Sequence, residues 1–210
     1  MNVVEQLNRR FARVVTDVVV RRPALWRVLR RPLAFEFDRL APRWNRILQA
    51  DHLAPLEAAL AGVAEAPRRV LDLGTGTGAA AVAVARRWPE AEVVGVDVAE
   101  QMVETARQDV PAELAGRVRF EVGDAARLTF SDGEFDLVTL ANAIPFFDEL
   151  ARVAAPGGRV IFAFSGGAGT PIYVAPERLR SELGRRGFTQ FAEFDTGRGT
   201  ALLATKDAQS

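Results

Sequence analysis

Residues 70–78 read Val-Leu-Asp-Leu-Gly-Thr-Gly-Thr-Gly, an apolar run that contains one acid and ends in three alternating glycines. The apolar residues suit a buried parallel strand. The glycines let the backbone turn tightly and approach a ligand, because no Cβ stands in the way. The carboxylate of Asp72 is costly to bury unless a cationic or hydrogen-bond-donating ligand pairs with it. The stretch therefore predicts a strand that ends against a bound nucleotide.

The glycine pattern is compatible with two classes of nucleotide ligand. Gly74-x-Gly76-x-x-Ala79 also satisfies the loose dinucleotide fingerprint, in which a helix N-terminus receives a pyrophosphate. An alanine-rich helix is predicted over residues 79–87, and a second strand over residues 91–96 ends at Asp97. Enzymes that use nicotinamide dinucleotides and enzymes that use S-adenosylmethionine both place an acid there to hold ribose hydroxyls. Asp97 therefore predicts a nucleoside and leaves its identity open.

Three further features favour S-adenosylmethionine. Asp72 precedes the glycines, where it suits an ammonium group and would repel a pyrophosphate. Residues 118–125 predict a third strand that ends in Gly-Asp-Ala, where an acid can accept the exocyclic amine of an adenine. Residues 135–140 predict a fourth strand, and after a helical stretch Pro156-Gly157-Gly158 predicts a turn into a fifth strand that ends at Phe164.

The order of these segments resembles the Rossmann-like S-adenosylmethionine-dependent methyltransferases, most closely the small-molecule branch that includes the ubiquinone and menaquinone biosynthesis methyltransferases. The resemblance covers roughly residues 35–206. It is carried by residues 72–78, Asp97, residues 123–125, Phe135-Asp136 and residues 152–158. It implies an α/β fold with a doubly wound, seven-stranded sheet of order 3-2-1-4-5-7-6, a last strand that is antiparallel, and an N-terminal helical cover.

The resemblance also implies S-adenosylmethionine as the cofactor and assigns the residues that bind it. In the family, the glycine turn lies under the methionine part, the acid of strand two holds the ribose, and the Gly-Asp-Ala segment lines the adenine. The residues assigned in this way are Asp72, Gly74, Thr75 and Gly76 at the amino acid part, Asp97 at the ribose, Val98, Met102, Asp124 and Ala125 at the adenine, and Ala141 and Asn142 beside the methyl group.

No motif fixes a general base, so the catalytic residue stays unassigned. Methyl transfer from a sulfonium depends largely on positioning and desolvation, and a base helps only when the acceptor must lose a proton. The candidates are Asp38, His52, Asp148 and Tyr173. Residues 142–146 read Asn-Ala-Ile-Pro-Phe and resemble imperfectly the Asn-Pro-Pro-aromatic element of amino-group methyltransferases, which disfavours methylation of that kind.

Composition predicts one globular domain in the cytoplasm, with an appendage at most. The 210 residues are about half apolar and include no cysteine, so thiolate nucleophiles and disulfides are excluded. A single histidine and scattered acids predict no metal site. No apolar run approaches the roughly 20 residues that span a bilayer.

The basic charge is concentrated at the N-terminus. Residues 1–50 contain eleven arginines and four acids, a net charge of +7. Residues 21–32 predict a short amphipathic helix, closely bounded by prolines, whose apolar face packs on the core or on a second subunit in a homodimer. Contact with a membrane surface is a less favoured alternative. Nucleic acid is disfavoured, since no aromatic interleaving or later basic stripe supports it.

The chain is predicted to divide into a cover and a core. Residues 1–66 form a helical cover or substrate lid, with a helix over residues 3–20 and another from Asp51, as N-cap, to Ala64. Residues 67–210 form the cofactor-binding core. The glycine-rich loop 165–171 is either a gate to the substrate or a flexible linker. Because few residues remain for a substrate domain, the acceptor is expected to be a small molecule.

Two other functions stay open at this stage. One is an NAD(P)-dependent oxidoreductase, although the only lysine, Lys206, leaves no Tyr-x-x-x-Lys pair. The other is a noncatalytic protein that binds S-adenosylmethionine as a regulator or partner subunit, because methyltransferases share no universal catalytic side chain.

Overall fold

A seven-stranded sheet forms the centre of the molecule in the computed structural model, which describes residues 3–48 and 50–208. The strands are β1 (Arg69–Leu73), β2 (Glu92–Asp97), β3 (Val118–Val122), β4 (Phe135–Ala141), β5 (Ala154–Phe164), β6 (Phe188–Asp195) and β7 (Thr200–Lys206). Their order is β3-β2-β1-β4-β5-β7-β6. Neighbours from β3 to β5 are parallel, and β7 is antiparallel to both β5 and β6. The predicted fold class is confirmed.

Helices flank the sheet and precede it. They are α1 (Val3–Arg21), α2 (Trp26–Leu40), α3 (Trp44–Ile47), α4 (Ala54–Ala61), α5 (Ala79–Arg87), α6 (Glu100–Asp109), α7 (Phe147–Val153) and α8 (Pro176–Gly184). Short 3₁₀ turns cover Pro23–Leu25 and Ala41–Arg43 around α2. Among the residues that the structure describes, no helix has the length and apolar character needed to cross a membrane.

The core lies in two layers because successive strand side chains point to opposite faces. In β1, Leu71 belongs to the cluster on one face and Val70 to the cluster on the other. The N-terminal helices contribute to both layers: α1 and α2 pack into the first cluster through Val19 and Trp26, among others, whereas Leu56 of α4 packs into the second.

The helix predicted to end at the second proline is longer than expected. α2 continues through Pro32, although proline has no N–H to donate to the carbonyl four residues earlier, at Val28. Val28 lies on the solvent side of the helix, where water can donate a hydrogen bond to this carbonyl in place of the missing N–H. Trp26 and Leu33 are both buried, so packing on either side of the proline stabilises a single helix.

Two predicted boundaries are wrong for local reasons. Asp51 does not cap a helix; its carbonyl accepts from Ala54 in a turn, and α4 begins later, with Leu53 at the N-cap and Pro55 in the first turn. β5 begins at Ala154, so Pro156-Gly157-Gly158 lies within the strand as an irregularity where the pairing with β4 shifts. A β-bulge accommodates extra residues within a strand, so the Pro-Gly-Gly segment does not have to precede β5.

Candidate active site

The glycine turn after β1 wraps around the end of β2. Gly74, Gly76 and Gly78 have φ values of 68°, 54° and 86°, which L-residues rarely adopt. The N–H of Gly74 donates to the carbonyl of Val96 at 2.8 Å, which holds the turn against β2. A Cβ at Gly78 would lie 2.6 Å from Cζ of Phe120. Close packing therefore requires glycine at the point where α5 begins.

Asp97, at the end of β2, is tied directly to this turn. Its Oδ2 accepts from the N–H of Gly76 and its Oδ1 from the N–H of Ala99, both at 2.9 Å. Burial raises the pKa of Asp97, while those backbone donors act in the opposite direction. Two bonds fix the carboxylate and leave acceptor capacity for further donors, because a carboxylate has about four lone-pair sites.

Asp72 lies buried within β1, just before the turn. Its Oδ1 accepts from the Thr139 hydroxyl at 2.7 Å, while its Oδ2 is buried and accepts no hydrogen bond within the described part of the chain. Burial raises the pKa of Asp72 to about 6, and the hydrogen bond from the Thr139 hydroxyl opposes this shift. A buried acceptor with spare capacity at this place suits a cationic donor, as the sequence predicted.

Asp124, after β3, already has partners from the N-terminal helices. Its Oδ1 accepts from Nε1 of Trp26 at 2.7 Å and from the N–H of Ala126 at 3.0 Å, and its Oδ2 accepts from Nη1 of Arg30 at 2.7 Å. The three bonds leave one acceptor site, on Oδ2. The residue predicted to accept the adenine amine is therefore also the point at which α2 is anchored to the core.

Residues of α2 and α3 also reach the turn and α6. Oδ1 of Asp38 accepts from the N–H of Gln101 in the first turn of α6, and Thr77 donates to Oδ1 of Asn45 at 2.6 Å. Nε1 of Trp44 lies 3.7 Å from the place where a Cβ of Gly76 would stand. The two helices thus extend over the carboxyl edge of β1 and β2.

Met102 packs beneath this cover. It is buried in a small cluster with Ala41 and Ala99, against which Phe37 and Trp44 also pack. The rings of Phe37 and Trp44 meet edge to face, with centroids 5.6 Å apart. The aromatic residues are thus packing residues, and they contact the side chain that the sequence assigned to the adenine face.

Asn142 connects the end of β4 to the loop after β5. It has a φ of 55°, and its Oδ1 accepts from the N–H of Ser165 at 3.0 Å. That loop is also held from outside, because Nη2 of Arg13 in α1 donates to the carbonyls of Ala168 and Thr170, each at 2.7 Å. Whether the loop acts as a gate stays a prediction.

The structure brings the predicted cofactor residues to one edge of the sheet. Strands β1, β2, β3 and β4 are parallel neighbours, so their carboxyl ends lie side by side. The predicted residues at or just beyond those ends are Asp72, Gly74, Thr75 and Gly76 on β1, Asp97 and Val98 on β2, Asp124 and Ala125 on β3, and Ala141 and Asn142 on β4.

The four candidate general bases do not lie together beside the predicted cofactor residues. Asp38 is engaged with α6, and Asp148 is exposed and paired with Arg186 at 2.7 Å. Tyr173 packs on the ring of Phe164, and burial raises its pKa. His52 lines a cavity of about 400 Å³ beside α5, whose lining does not include Asp72, Asp97 or Asp124. None of the four is assigned a role.

Sequence reasoning missed the contribution of Trp26 and Arg30. They are four residues apart and so share one face of α2, which was the available signal. Their partner, however, lies more than 90 residues later in the chain. Asp136, in contrast, has a structural role: its Oδ2 accepts from the N–H groups of Arg68 and Arg69 at the opposite edge of the sheet.

Comparison with known proteins agrees with this geometry. A family model described as a methyltransferase domain matches residues 70–158. The demethylmenaquinone methyltransferase of Deinococcus radiodurans is 41% identical over 60% of this chain and 56% of its own length. The magnesium-protoporphyrin O-methyltransferase of Rhodobacter capsulatus is 31% identical over 65% of this chain and 67% of its own length.

The fold is also shared with solved structures. A putative methyltransferase of Haloferax volcanii, in complex with the Trm112 methyltransferase activator, superposes with a TM-score of 0.67 at 21% identity, over 82% of this chain and 98% of that one. The chain belongs to the Rossmann-like S-adenosylmethionine-dependent methyltransferases. It spans little more than half the length of several curated relatives that it matches, 56% in the Deinococcus protein.

Family and fold imply S-adenosylmethionine as the cofactor, and the residues fit it. The unsatisfied Oδ2 of Asp72 suits the ammonium group, and the glycine turn gives backbone access to the amino acid part. Asp97 retains acceptor capacity for the ribose hydroxyls. Asp124 fits the adenine amine through its remaining acceptor site, beside Arg30.

Proposed function

We propose that the protein transfers a methyl group from S-adenosylmethionine to a small-molecule acceptor. The observation that carries this proposal is the bond between the Gly76 N–H and the Asp97 carboxylate, which joins the glycine turn to the acid at the end of β2 in one rigid unit. The same unit lies within the segment that the methyltransferase domain model matches.

In the proposed enzyme, this chain binds and orients, and the cofactor supplies an electrophilic methyl group on its sulfonium. Asp72 holds the ammonium group, Asp97 the ribose and Asp124 the adenine amine. Residues 1–66 act as a lid that excludes water, with Trp26, Trp44 and Asn45 as its contacts to the core. Positioning of this kind supplies a large part of the barrier reduction in a displacement reaction.

The named relatives suggest where a search for the acceptor should begin. They are named for demethylmenaquinone and magnesium protoporphyrin, which both contain a planar conjugated ring system. We therefore propose a small molecule with a planar conjugated ring system as the acceptor. The homodimer and the cytoplasmic location remain predictions.

The direct test is transfer of a labelled methyl group. The purified protein is incubated with methyl-labelled S-adenosylmethionine and, separately, a demethylated quinone, a magnesium porphyrin or a small-molecule extract of the source cells. We expect label in a product extractable into organic solvent, and at least about tenfold less label with Asp97→Asn when the cofactor is below saturation. If the protein binds the cofactor but labels no acceptor, it is the noncatalytic binder; if it binds NAD instead, it is an oxidoreductase.

A further inference from the structure

The side of α2 that faces away from the core carries an exposed apolar stripe. Val28 is 68% exposed and Phe35 61%, and Leu25 and Pro32 are exposed with them. These positions are spaced by three, four and three residues, which places them on one side of a helix. Because the exposed apolar side chains adjoin one another, they form the kind of surface that marks a contact with a partner or a membrane.

The opposite side of α2 is fully used within the chain. Trp26 and Leu33 are 5% and 4% exposed, and Trp26 and Arg30 both bind Asp124. Because these contacts fix how α2 is rotated, the apolar stripe has no route to the core of the same chain.

Arginines lie beside the stripe, and the nearest acid in the sequence, Glu36, is paired with Arg39 at 3.6 Å. Residues 18–35 contain no Asp or Glu. Arg27 and Arg31 are exposed and form no ion pair with the residues that the structure describes. We call Leu25, Arg27, Val28, Arg31, Pro32 and Phe35 the α2 outer face.

We propose that the α2 outer face docks on a lipid bilayer that contains anionic headgroups. A helix with apolar residues flanked by arginines lies in the membrane interface, with its apolar side chains among the acyl chains and its cations at the phosphates. At the membrane interface the apolar side chains of the α2 outer face are buried and its arginines are paired with phosphates. In water only the arginines are well solvated.

A second copy of the chain and a nucleic acid would each provide partners for only one of the two components of this surface, the apolar side chains or the arginines. A second copy of the chain would bury the apolar stripe but would bring Arg27 and Arg31 of each copy together, and the nearest acid, Glu36, already pairs with Arg39. A nucleic acid would neutralise the arginines but leave Val28 and Phe35 without an apolar partner. The charge and the exposed apolar area together therefore favour an anionic bilayer.

Vesicle co-sedimentation of the full chain tests the proposal. The vesicles are phosphatidylglycerol mixed with phosphatidylcholine, compared with phosphatidylcholine alone. We expect binding to the anionic vesicles that weakens as salt rises. The double variant V28S/F35S is expected to weaken it at least about tenfold through lost apolar burial. R27Q/R31Q is expected to weaken it about 10- to 30-fold, at about 1 kcal/mol for each arginine at the surface.

Matched controls separate this surface from general effects. Val122 is an exposed valine on β3, 50% accessible, and Val122→Ser is expected to bind vesicles as the wild type does. R68Q/R198Q removes two exposed arginines elsewhere, with the same change in net charge, and is also expected to bind. Circular dichroism verifies that all the variants are folded.

Each remaining outcome overturns the proposal. Wild-type protein that stays in solution with anionic vesicles contradicts it, and so does binding that V28S/F35S leaves unchanged. If V28S/F35S converts a dimer to a monomer in sedimentation velocity without changing vesicle binding, the surface is a subunit interface. Binding of duplex DNA that depends on the arginines, without vesicle binding, makes it a nucleic-acid surface. Vesicle binding needs no cofactor, so its failure leaves the proposed function standing.

Discussion

Nε1 of Trp26 donates to Oδ1 of Asp124 at 2.7 Å, so a helix near the start of the chain is anchored on an acid at the carboxyl edge of the sheet. Arg30 binds the other oxygen of the same carboxylate. The position of the helical cover therefore depends on the residue that we assign to the adenine amine.

Trp26→Phe should loosen the cover while keeping most of its apolar packing. A hydrogen bond to a charged acceptor contributes about 1.5–3 kcal/mol, equivalent to a factor of about ten or more in the open population. We expect trypsin to cleave at the arginines of α2 about tenfold faster or more, because proteolysis follows that population. Trp88→Phe changes a buried ring elsewhere and should leave the rate unchanged. Equal rates for the wild type and Trp26→Phe would contradict the anchoring role.

If Asp124 accepts a hydrogen bond from the exocyclic amine of adenine, the protein should bind a ligand with this amine more tightly than one without it. S-inosylhomocysteine replaces this amine with a carbonyl oxygen, which Asp124 would repel. We expect the wild type to bind S-adenosylhomocysteine at least about tenfold more tightly than the inosine analogue, because an unpaired buried acceptor costs about 1–3 kcal/mol. Asp124→Asn should lose most of this preference, since the amide can donate to the carbonyl. A wild type that binds the two ligands equally would remove Asp124 from the adenine site.

The raised pKa of Asp72 predicts a specific dependence of stability on pH. Its folded-state pKa of about 6 lies above the ordinary 3.8, so between these values the folded state holds more protons than the unfolded state. The contribution of Asp72 to stability therefore falls as pH rises through this window and is constant above it. Relative to the wild type, Asp72→Asn should gain about 2 kcal/mol in unfolding free energy between pH 4 and pH 7, since one pKa unit equals about 1.36 kcal/mol and the unfolded-state carboxyl is already more than half ionised at pH 4. Urea unfolding of both proteins at several pH values measures this, and a flat difference would contradict it.

Alanine variants of Gly78 and Gly157 distinguish the cost of backbone strain from the cost of a steric clash. Both have positive φ, 86° and 73°, so alanine costs about 1–2 kcal/mol at either one. A Cβ at Gly78 would also meet Phe120 at 2.6 Å, whereas at Gly157 the nearest atom is 3.9 Å away. Gly78→Ala should therefore be less stable than Gly157→Ala by about 1–3 kcal/mol in denaturant unfolding. Similar costs for the two variants would show that the packing against Phe120 is not required.

The features that the sequence predicted correctly are those encoded locally. The glycines of the turn require positive φ, and α5 was predicted at its observed bounds because alanines follow the turn directly. The strand order came from the resemblance, which preserves the sequence of strand ends at Asp72, Asp97 and Asp124.

The features that were missed depend on contacts between distant parts of the chain. Nothing around Trp26 indicates that its partner is Asp124, because the pairing depends on the way α2 crosses the sheet edge. Pro32 indicated a helix boundary, but burial of Trp26 and Leu33 outweighs the lost hydrogen bond. Local preference also failed at Asp51, where a turn and Pro55 determine the start of α4.

Calorimetric titration with S-adenosylhomocysteine and with NAD tests the central claim most directly. We expect S-adenosylhomocysteine to bind, NAD not to bind, and Asp97→Asn to weaken S-adenosylhomocysteine about 10- to 100-fold through lost charge-assisted hydrogen bonds to the ribose. Asp136→Asn, at the opposite edge of the sheet, is the matched control and should bind as the wild type does. Tighter binding of NAD, or an affinity for S-adenosylhomocysteine that Asp97→Asn leaves unchanged, would contradict the account.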